Sequence, residues 1–312
     1  MRRIARTAFF LPSIMLALAA HADQTRSFVS SYGSDSNDCS RQAPCRSFAT
    51  AITKTVAGGE INTLDPGGYG AVTITKAISI VSGLGEAGVL VPAGGTGITI
   101  SAGATDRINL RGLAIEGAGT GATGIRFNSG GALTISNSVI RNLTAANIDL
   151  EPTATTTFVI TNTLVTDGRV GIYVYPQGLG VANGTFERVT VTNHQWGLYG
   201  NAIASATSKP ITLSVIDSSV SHNTAGDGIG VYAQSPSSSV RSRFDLVGTT
   251  VSGNTIGAKM EQFGYVLMQR SHMDSNGTNF VCTGSGASFW TWGDNAILST
   301  PSCLVAQAPG LK

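Results

Sequence analysis

The stretch TLVTD…GIYV, from Thr163 to Val174, decides the fold because the chain repeats its pattern four more times. Each copy is a β-forming run that ends at an Asn or Asp, a short gap, and a second run that is usually led by glycine. The other copies are SVIRN…NIDL at Ser138–Leu150, TVTN…GLYG at Thr190–Gly200, SVSHN…GIGV at Ser219–Val231 and TVSGN…GAKM at Thr250–Met260. Their marker residues are Asn142, Asp167, Asn193, Asn223 and Asn254, at spacings of 25, 26, 30 and 31. A period in this range indicates stacked supersecondary units.

Each unit contains three short β-type runs. One precedes the marker run, one ends at the marker, and one follows the gap, as in Phe158–Thr161, Thr163–Asp167 and Ile172–Val174. An Asn at such a bend tolerates the left-handed conformation, and stacked amides bond one another at the strand spacing of ~4.8 Å. The sequence therefore predicts an all-β fold, a right-handed parallel β-helix with three strands per coil.

The third strands carry the candidate binding face. Because successive side chains of a strand alternate in direction, two outward columns follow from the inward isoleucines. They are predicted to be Arg126, Asp149, Tyr173, Tyr199, Gly230, Lys259 and Asn128, Glu151, Tyr175, Asn201, Tyr232, Glu261. Aromatic side chains beside acids and amides are typical of carbohydrate contact. The predicted ligand-binding residues are Arg126, Tyr173, Tyr175, Tyr199, Trp196, Tyr232 and Lys259. The alternative is that Tyr is a favourable strand residue and that Arg126–Asp149 is an ordinary surface pair.

Asp149 and Glu151 are the candidate catalytic pair. They lie two residues apart on one strand, which places them ~7 Å apart, within the range of an inverting glycosidase pair. Outward positions of the first strands carry only Glu187 and Asp245 as acids, two coils or ~10 Å apart, which is a poor arrangement for lyase chemistry.

The N-terminus has the order of a secretory signal. Arg2, Arg3 and Arg6 precede the apolar run Ala8–Ala20, and Ala20-His21-Ala22 fits an A-x-A site, which predicts cleavage after Ala22. The alternative is a buried N-terminal helix. Cleavage removes three of the 20 basic residues and leaves 17 against 18 acidic ones, a net charge of −1. We therefore expect export to the periplasm or beyond, no nucleic-acid partner and no integral membrane segment in the mature chain.

Four cysteines remain after cleavage, and an even number in an exported chain indicates disulfides. The predicted pairs are Cys39–Cys45 and Cys282–Cys303, one near each end of the chain. Zinc is the weaker alternative because no C-x2-C pair exists. Asp35, Asn37 and Asp38 offer three oxygens for Ca²⁺, whereas the alternative is an Asx turn before the Cys39 loop. No other metal or cofactor is expected.

The chain also divides into regions. Residues 23–66 are predicted to form an N-terminal cap with a short helix over 46–57, followed by the β-helix over 67–295 and a tail or second cap over 296–312. The motifs YGSDSN at Tyr32–Asn37, GG at Gly58–Gly59 and GGY at Gly67–Tyr69 resemble the N-terminal capping region of secreted pectate-lyase-like β-helix proteins. The resemblance covers about residues 28–295.

The superfamily that this region resembles includes pectate and pectin lyases, polygalacturonases, alginate-modifying enzymes, phage tailspikes and adhesins. The resemblance thus implies an exported protein that contacts extracellular polysaccharide, without implying catalysis, because the N-T-D, G-H-G and R-I-K motifs of polygalacturonases are missing from the sequence. The alternatives are a glycan-active hydrolase or lyase, and a structural or adhesive surface protein.

Overall fold

The computed structural model describes residues 24–83, 86–208 and 210–298, together with the backbone of Leu304–Gln307. The chain forms a right-handed parallel β-helix of about nine turns, which confirms the predicted fold class. The predicted signal segment, residues 1–22, lies outside the described residues. The domain boundaries, which no observation tests, stay a prediction. No helix among the described residues is long and apolar enough to cross a membrane.

The strands form three sheets that run the length of the solenoid, and β12, β13 and β14 bend through more than one of them. The first sheet contains β1 (Gln24–Val29), β2 (Thr55–Thr63), β5 (Ile78–Val81), β8 (Arg107–Arg111), β11 (Ala132–Ser136), β15 (Ile211–Ile216), β18 (Ser242–Val247), β21 (Tyr265–Gln269), β24 (Ser288–Thr291) and β26 (Leu304–Gln307). The second contains β3 (Gly67–Gly68), β6 (Ala87–Leu90), β9 (Leu113–Glu116), β16 (Ser219–Ser221), β19 (Thr250–Ser252), β22 (His272–Asp274) and β25 (Ala296–Ile297). The third contains β4 (Val72–Ile74), β7 (Thr96–Ser101), β10 (Thr123–Ser129), β17 (Ile229–Ser235), β20 (Ile256–Gln262) and β23 (Thr278–Thr283). The three strands that bend are β12 (Val139–Leu150), β13 (Thr155–Val174) and β14 (Val181–Asn201).

The core is built from like residues that stack from coil to coil. In the third sheet Ile125 pairs with Ile148, and Ile148 pairs with Ile172. In the first sheet Ile135 pairs with Ile160, and Ile160 pairs with Phe186. All these side chains are buried. Because a single coil cannot enclose its own apolar side, each coil is stable only against its neighbours.

A short helix covers the first coils. Helix α1 (Phe48–Lys54) is shorter than the predicted 46–57 because Ser47 caps it, accepting a hydrogen bond from the Thr50 N–H at 3.2 Å. Its C-terminal neighbour Thr55 is extended and begins β2. Phe48, which is fully buried, packs on Tyr69 with ring centroids 5.1 Å apart. The helix thus covers an end of the stack that would otherwise expose its apolar interior.

The sequence predicts that each marker residue both takes the left-handed conformation and stacks its amide on the next coil. In the structure these two properties belong to different residues in some coils. Asn142, Asp167 and Asn193 have positive φ, as predicted. The prediction is wrong for Asn223 and Asn254, because His222 and Gly253 take the left-handed positions one residue earlier.

Asn223 and Asn254 instead point inward and form a buried amide ladder. The Asn223 Nδ2 donates to the Asn254 Oδ1 at 2.8 Å, and the Asn254 Nδ2 donates to the Asn276 Oδ1 at 2.9 Å. His194 occupies the preceding place in this ladder, and its backbone N–H donates to the Asn223 Oδ1 at 3.0 Å. The ladder satisfies polar groups inside a core where an unpaired one costs about 1–3 kcal/mol.

The disulfide Cys39–Cys45 is present, as predicted, and both cysteines are fully buried beneath β1 and the cap. The second predicted pair stays a prediction, because Cys303 lies outside the described residues.

Candidate functional site

The third sheet presents one continuous outward column. In register along it lie Thr73, Thr99, Arg126, Asp149, Tyr173, Tyr199, Tyr232 and Lys259. We call this side of the sheet, from Thr73 to Lys259, the third-sheet face. The prediction placed Gly230 between Tyr199 and Lys259; that assignment is wrong, since Tyr232 pairs with both. Four tyrosine or cationic side chains therefore follow Asp149 without a gap.

The second outward column lies two residues further along each strand, and it also changes at one coil. Asn201 pairs with Gln234, and Gln234 pairs with Glu261. The predicted column had Tyr232 at this place, so Gln234 was missed. No local sequence signal distinguishes Gly228 from Gly230, but the structure gives the register, because the carbonyl of Gly230 lies 2.7 Å from the point where a Cβ on Gly197 would stand. Gly230 is therefore the stacked equivalent of Gly197, and the residues after it shift by two.

Arg126, Asp149 and Glu151 form one ionic cluster. The Arg126 Nη2 lies 2.8 Å from the Asp149 Oδ2, and the Arg126 Nη1 lies 3.4 Å from the Glu151 Oε1. The Asp149 side chain is 5% exposed, whereas those of Arg126 and Glu151 are 36% and 24% exposed. The structure therefore brings the two candidate catalytic acids to the same guanidinium, with only one of them removed from water.

The carboxyl group of Asp149 has an unusual environment. Burial raises its pKa to about 7. The positive charge of Arg126 lowers this pKa, and the negative charge of Glu151 raises it. Its Oδ1 is buried and has no hydrogen-bond partner among the described residues. A carboxyl group with a pKa near neutrality can exchange a proton at physiological pH, which is what general acid–base catalysis requires.

The tyrosines of the third-sheet face stack on one another. The rings of Tyr199 and Tyr232 are nearly parallel, with centroids 4.5 Å apart, and Tyr173 lies 5.0 Å from Tyr199. Tyr175 continues the row beside Tyr173 at 5.3 Å. Because neighbouring rings cover these faces, Tyr199 and Tyr232 are only 8% and 6% exposed. A ligand would meet mainly ring edges here, with Tyr173 and Tyr175 more open.

The hydroxyl ends of this tyrosine row enter a polar network. The Tyr199 hydroxyl donates to the Gln234 Oε1 at 2.5 Å, and the Tyr232 hydroxyl donates to the Glu261 Oε2. Lys259 lies over the Tyr232 ring, 4.7 Å from its centroid, and 3.4 Å from the Glu261 carboxylate. Burial is the main cause of the raised pKa of the Tyr199 phenol, about 12. Burial also raises the pKa of the Tyr173 and Tyr232 phenols, so these three groups stay neutral at physiological pH.

Trp196 extends the aromatic row at the bend. Its ring packs edge-on against Tyr199 at 5.1 Å, and its Nε1 donates to the Asp227 Oδ1 at 2.9 Å. Arg169 covers the other side, 5.3 Å from the ring centroid. His194, two residues before Trp196 in the sequence, is fully buried. Its burial lowers the imidazole pKa to about 4.

A cavity of about 450 Å³ lies at the helix end of the same face, between α1 and β4 and β7. Thr73 and Thr99, two members of the outward column, line it together with Ile52 of α1. Thr99 is the direct register neighbour of Arg126. The third-sheet face therefore leads from this cavity across the ionic cluster to the tyrosine row.

The first sheet carries little comparable chemistry. Both of its predicted acids form ion pairs with nearby arginines. Glu187 pairs with Arg188, and the Asp245 Oδ1 lies 2.6 Å from the Arg243 Nε. Tyr265 lies beneath the Arg243 guanidinium, 5.2 Å from its carbon.

The predicted calcium residues are engaged with backbone groups. The Asp35 carboxylate accepts hydrogen bonds from the N–H groups of Arg46 and Ser47, both at 2.9 Å, before α1. Asp38 accepts one from the Ser40 N–H, and the Asn37 amide donates to a carbonyl. No group of three or more His, Cys, Asp or Glu side chains among the described residues could hold a metal ion. No observation tests the Ca²⁺ prediction, which stays a prediction.

Comparison with known proteins gives a fold and no family. No family model matches the sequence, and neither does any curated protein. Among solved structures, pectate lyase Pel9A matches with a TM-score of 0.64 and 14% identity, over 92% of this chain and 80% of that one. This chain has the fold of pectate lyase Pel9A. The A-module of the Azotobacter vinelandii mannuronan C-5 epimerase AlgE4 aligns at a TM-score of 0.47, with 13% identity over 83% of this chain and 90% of that module.

Proposed function

We propose that this protein is exported and binds extracellular polysaccharide along the third-sheet face. The observation that carries the proposal is the arrangement of that face, where a charged cluster at Arg126 and an aromatic row from Tyr173 follow one another in strict register. Sugar rings offer apolar C–H faces and many hydroxyls, and these suit aromatic and charged side chains in alternation. The disulfide Cys39–Cys45 supports an oxidising location.

The dimensions of the face support a polymer as the ligand. Eight rungs separated by ~4.8 Å extend over ~34 Å from Thr73 to Lys259. The cavity beside α1 gives room at one end, and Tyr173, Tyr175 and the exposed guanidinium of Arg126 offer contacts near the middle. The fold likeness to a pectate lyase agrees with a polysaccharide ligand, although fold by itself does not determine function.

The experiment is binding to a panel of soluble polysaccharides by affinity electrophoresis. We expect retention by at least one glycan, and a loss of at least tenfold in affinity for Arg126→Ala and Tyr173→Ala. The matched control is Tyr265→Ala on the first sheet, which should bind as the native protein does. Unchanged binding in both third-sheet variants would refute the placement of the site. Binding to no glycan in the panel would favour the structural or adhesive role instead.

Asp149 favours a second candidate function, glycan cleavage. The favouring observation is the buried carboxyl with a pKa of about 7 beside Glu151, which is more exposed and faces the same guanidinium. In this reading Asp149 holds a proton for the leaving glycosidic oxygen, and Glu151, as the carboxylate, acts on the attacking water or the sugar. Arg126 balances the charge of the pair.

The test of cleavage is product formation from each retained glycan, measured as new reducing ends and as ultraviolet absorbance of unsaturated products. We expect Asp149→Asn with Glu151→Gln to abolish product formation while the circular dichroism spectrum stays native. Glu187→Gln is the surface control. If the native protein releases no product from a glycan that it binds, cleavage fails and binding stands.

A further inference from the structure

We infer that the third-sheet face is selective for neutral glycans and disfavours polyuronates. This inference rests on the proposed function and names its substrate class. It starts from the charges of the two outward columns between β10 and β20. Those columns hold three acids and two bases: Asp149, Glu151, Glu261, Arg126 and Lys259.

Neither base in the columns is left to receive an anion. Arg126 is shared between Asp149 and Glu151, at 2.8 and 3.4 Å. Lys259 lies 3.4 Å from Glu261 and over the face of Tyr232. A carboxylate on a ligand would therefore compete with a protein carboxylate for each cation, and it would leave an acid of the face without its partner.

The hydrogen-bonding groups of the face point to the same class. The Asp149 Oδ1 is buried, so a ligand meets the carboxylates of Glu151 and Glu261, which are 24% and 26% exposed and are both acceptors. A sugar hydroxyl can donate to such oxygens, whereas an ionised uronate offers only further acceptors at its carboxylate. Like-charge repulsion in a partly buried site adds to this mismatch.

The charged residues beside Trp196, at the bend, leave the net charge unchanged. Arg169 and Asp227 lie on either side of Trp196, one positive and one negative. The aromatic row from Tyr175 to Tyr232 is uncharged. A polymer with one carboxylate on every ring would thus place several negative charges along the stretch between β10 and β20, whose two columns carry a net charge of −1, and a neutral polymer would not.

The experiment compares oligosaccharides that differ only at C6. Three pairs serve as probes, each matched in linkage and anomeric configuration: cello-oligosaccharides and their C6-carboxylated forms, manno-oligosaccharides and mannuronate oligomers, and α-linked galacto-oligosaccharides and galacturonate oligomers. Titrations at pH 8, where Asp149 is ionised, at low and high salt give the dissociation constants. We expect the tightest ligand to be the neutral member of its pair, by at least tenfold, with little dependence on salt.

Two variants test the cause of this selectivity. Glu261→Gln removes one negative charge from the face and should lower the preference for the neutral member by about fivefold. Glu187→Gln removes one from the first sheet and should leave the preference unchanged. A tighter acidic member, with affinity that falls as salt rises, would overturn the inference and leave the proposed function standing. Binding of no oligosaccharide would overturn the proposed function, and this inference with it.

Discussion

Two buried titratable groups should make opposite contributions to stability across the same pH range. Burial raises the pKa of Asp149 to about 7 from the 3.8 of a free carboxyl group, and it lowers the pKa of His194 to about 4 from the 6.5 of a free imidazole. The folded state therefore prefers protonated Asp149 and neutral His194. Between about pH 4 and 7 the unfolded chain has lost the proton of Asp149 while the folded chain keeps it, so this group lowers stability as pH rises. His194 binds its proton more readily in the unfolded chain, so it raises stability as pH rises.

The two magnitudes are similar. At ~1.4 kcal/mol per pKa unit, the shift of Asp149 corresponds to about 4 kcal/mol and that of His194 to about 3 kcal/mol. Both groups are buried, so solvent screening reduces these values little. In the native protein the two effects should nearly cancel, so that together they change the free energy of unfolding little between pH 4 and 7. Single variants are needed to separate them.

The assay is denaturant unfolding followed by circular dichroism, at several values between pH 4 and 8. Asp149→Asn should leave the His194 slope, with stability rising by about 3 kcal/mol towards neutral pH. His194→Asn, which inserts the residue type of the amide ladder, should leave the Asp149 slope and lose about 4 kcal/mol over the same range. The double variant should be flat again. Parallel pH profiles for the two single variants would refute the reasoning.

Three further predictions concern stability and use the same unfolding measurement. Asn254→Ala removes the acceptor of the Asn223 N–H and Nδ2 groups and should lower the free energy of unfolding by about 2–5 kcal/mol. The control Asn193→Gly, at an exposed left-handed position, should lower it by less than about 0.5 kcal/mol. Equal losses in the two variants would contradict the role of the amide ladder. Phe186→Ala, in the stacked core, should cost about 3–5 kcal/mol, and a cost below about 1 kcal/mol would show that the core is loosely packed. Replacing Cys39 and Cys45 by serine opens a short loop and should lower the free energy of unfolding by about 2 kcal/mol. Under reducing conditions the variant and the native protein should be equally stable.

The sequence predicts the coil and much of the third-sheet face because both follow from local alternation. Arg126, Asp149, Tyr173 and Tyr199 stand in register as expected, since the gap between the second and third strands is similar in their coils. Locally, GIGV offers two glycines, Gly228 and Gly230, that could lead the strand. The choice between them depends on backbone stacking against the neighbouring coil, which no local pattern contains.

Burial of individual groups was harder to predict for the same reason. His194 and the turn residue Asn193 are adjacent in sequence, but one is buried in the amide ladder and the other is exposed. The pKa of Asp149 depends on how completely its neighbours cover it, although its outward direction follows from alternation. The stacking of the tyrosines on each other, rather than towards a ligand, depends on ring orientations that the sequence does not fix.

The register of the stack also determines how the molecule would respond to mechanical tension. The hydrogen bonds between coils run along the axis of the solenoid, so a force applied to the two ends loads them one coil at a time. The coil from Tyr173 to Tyr199 rises only ~4.8 Å when folded but spans ~90 Å when fully extended. Each released coil would therefore lengthen the tether by ~85 Å, and the protein would yield in steps rather than break at a single load.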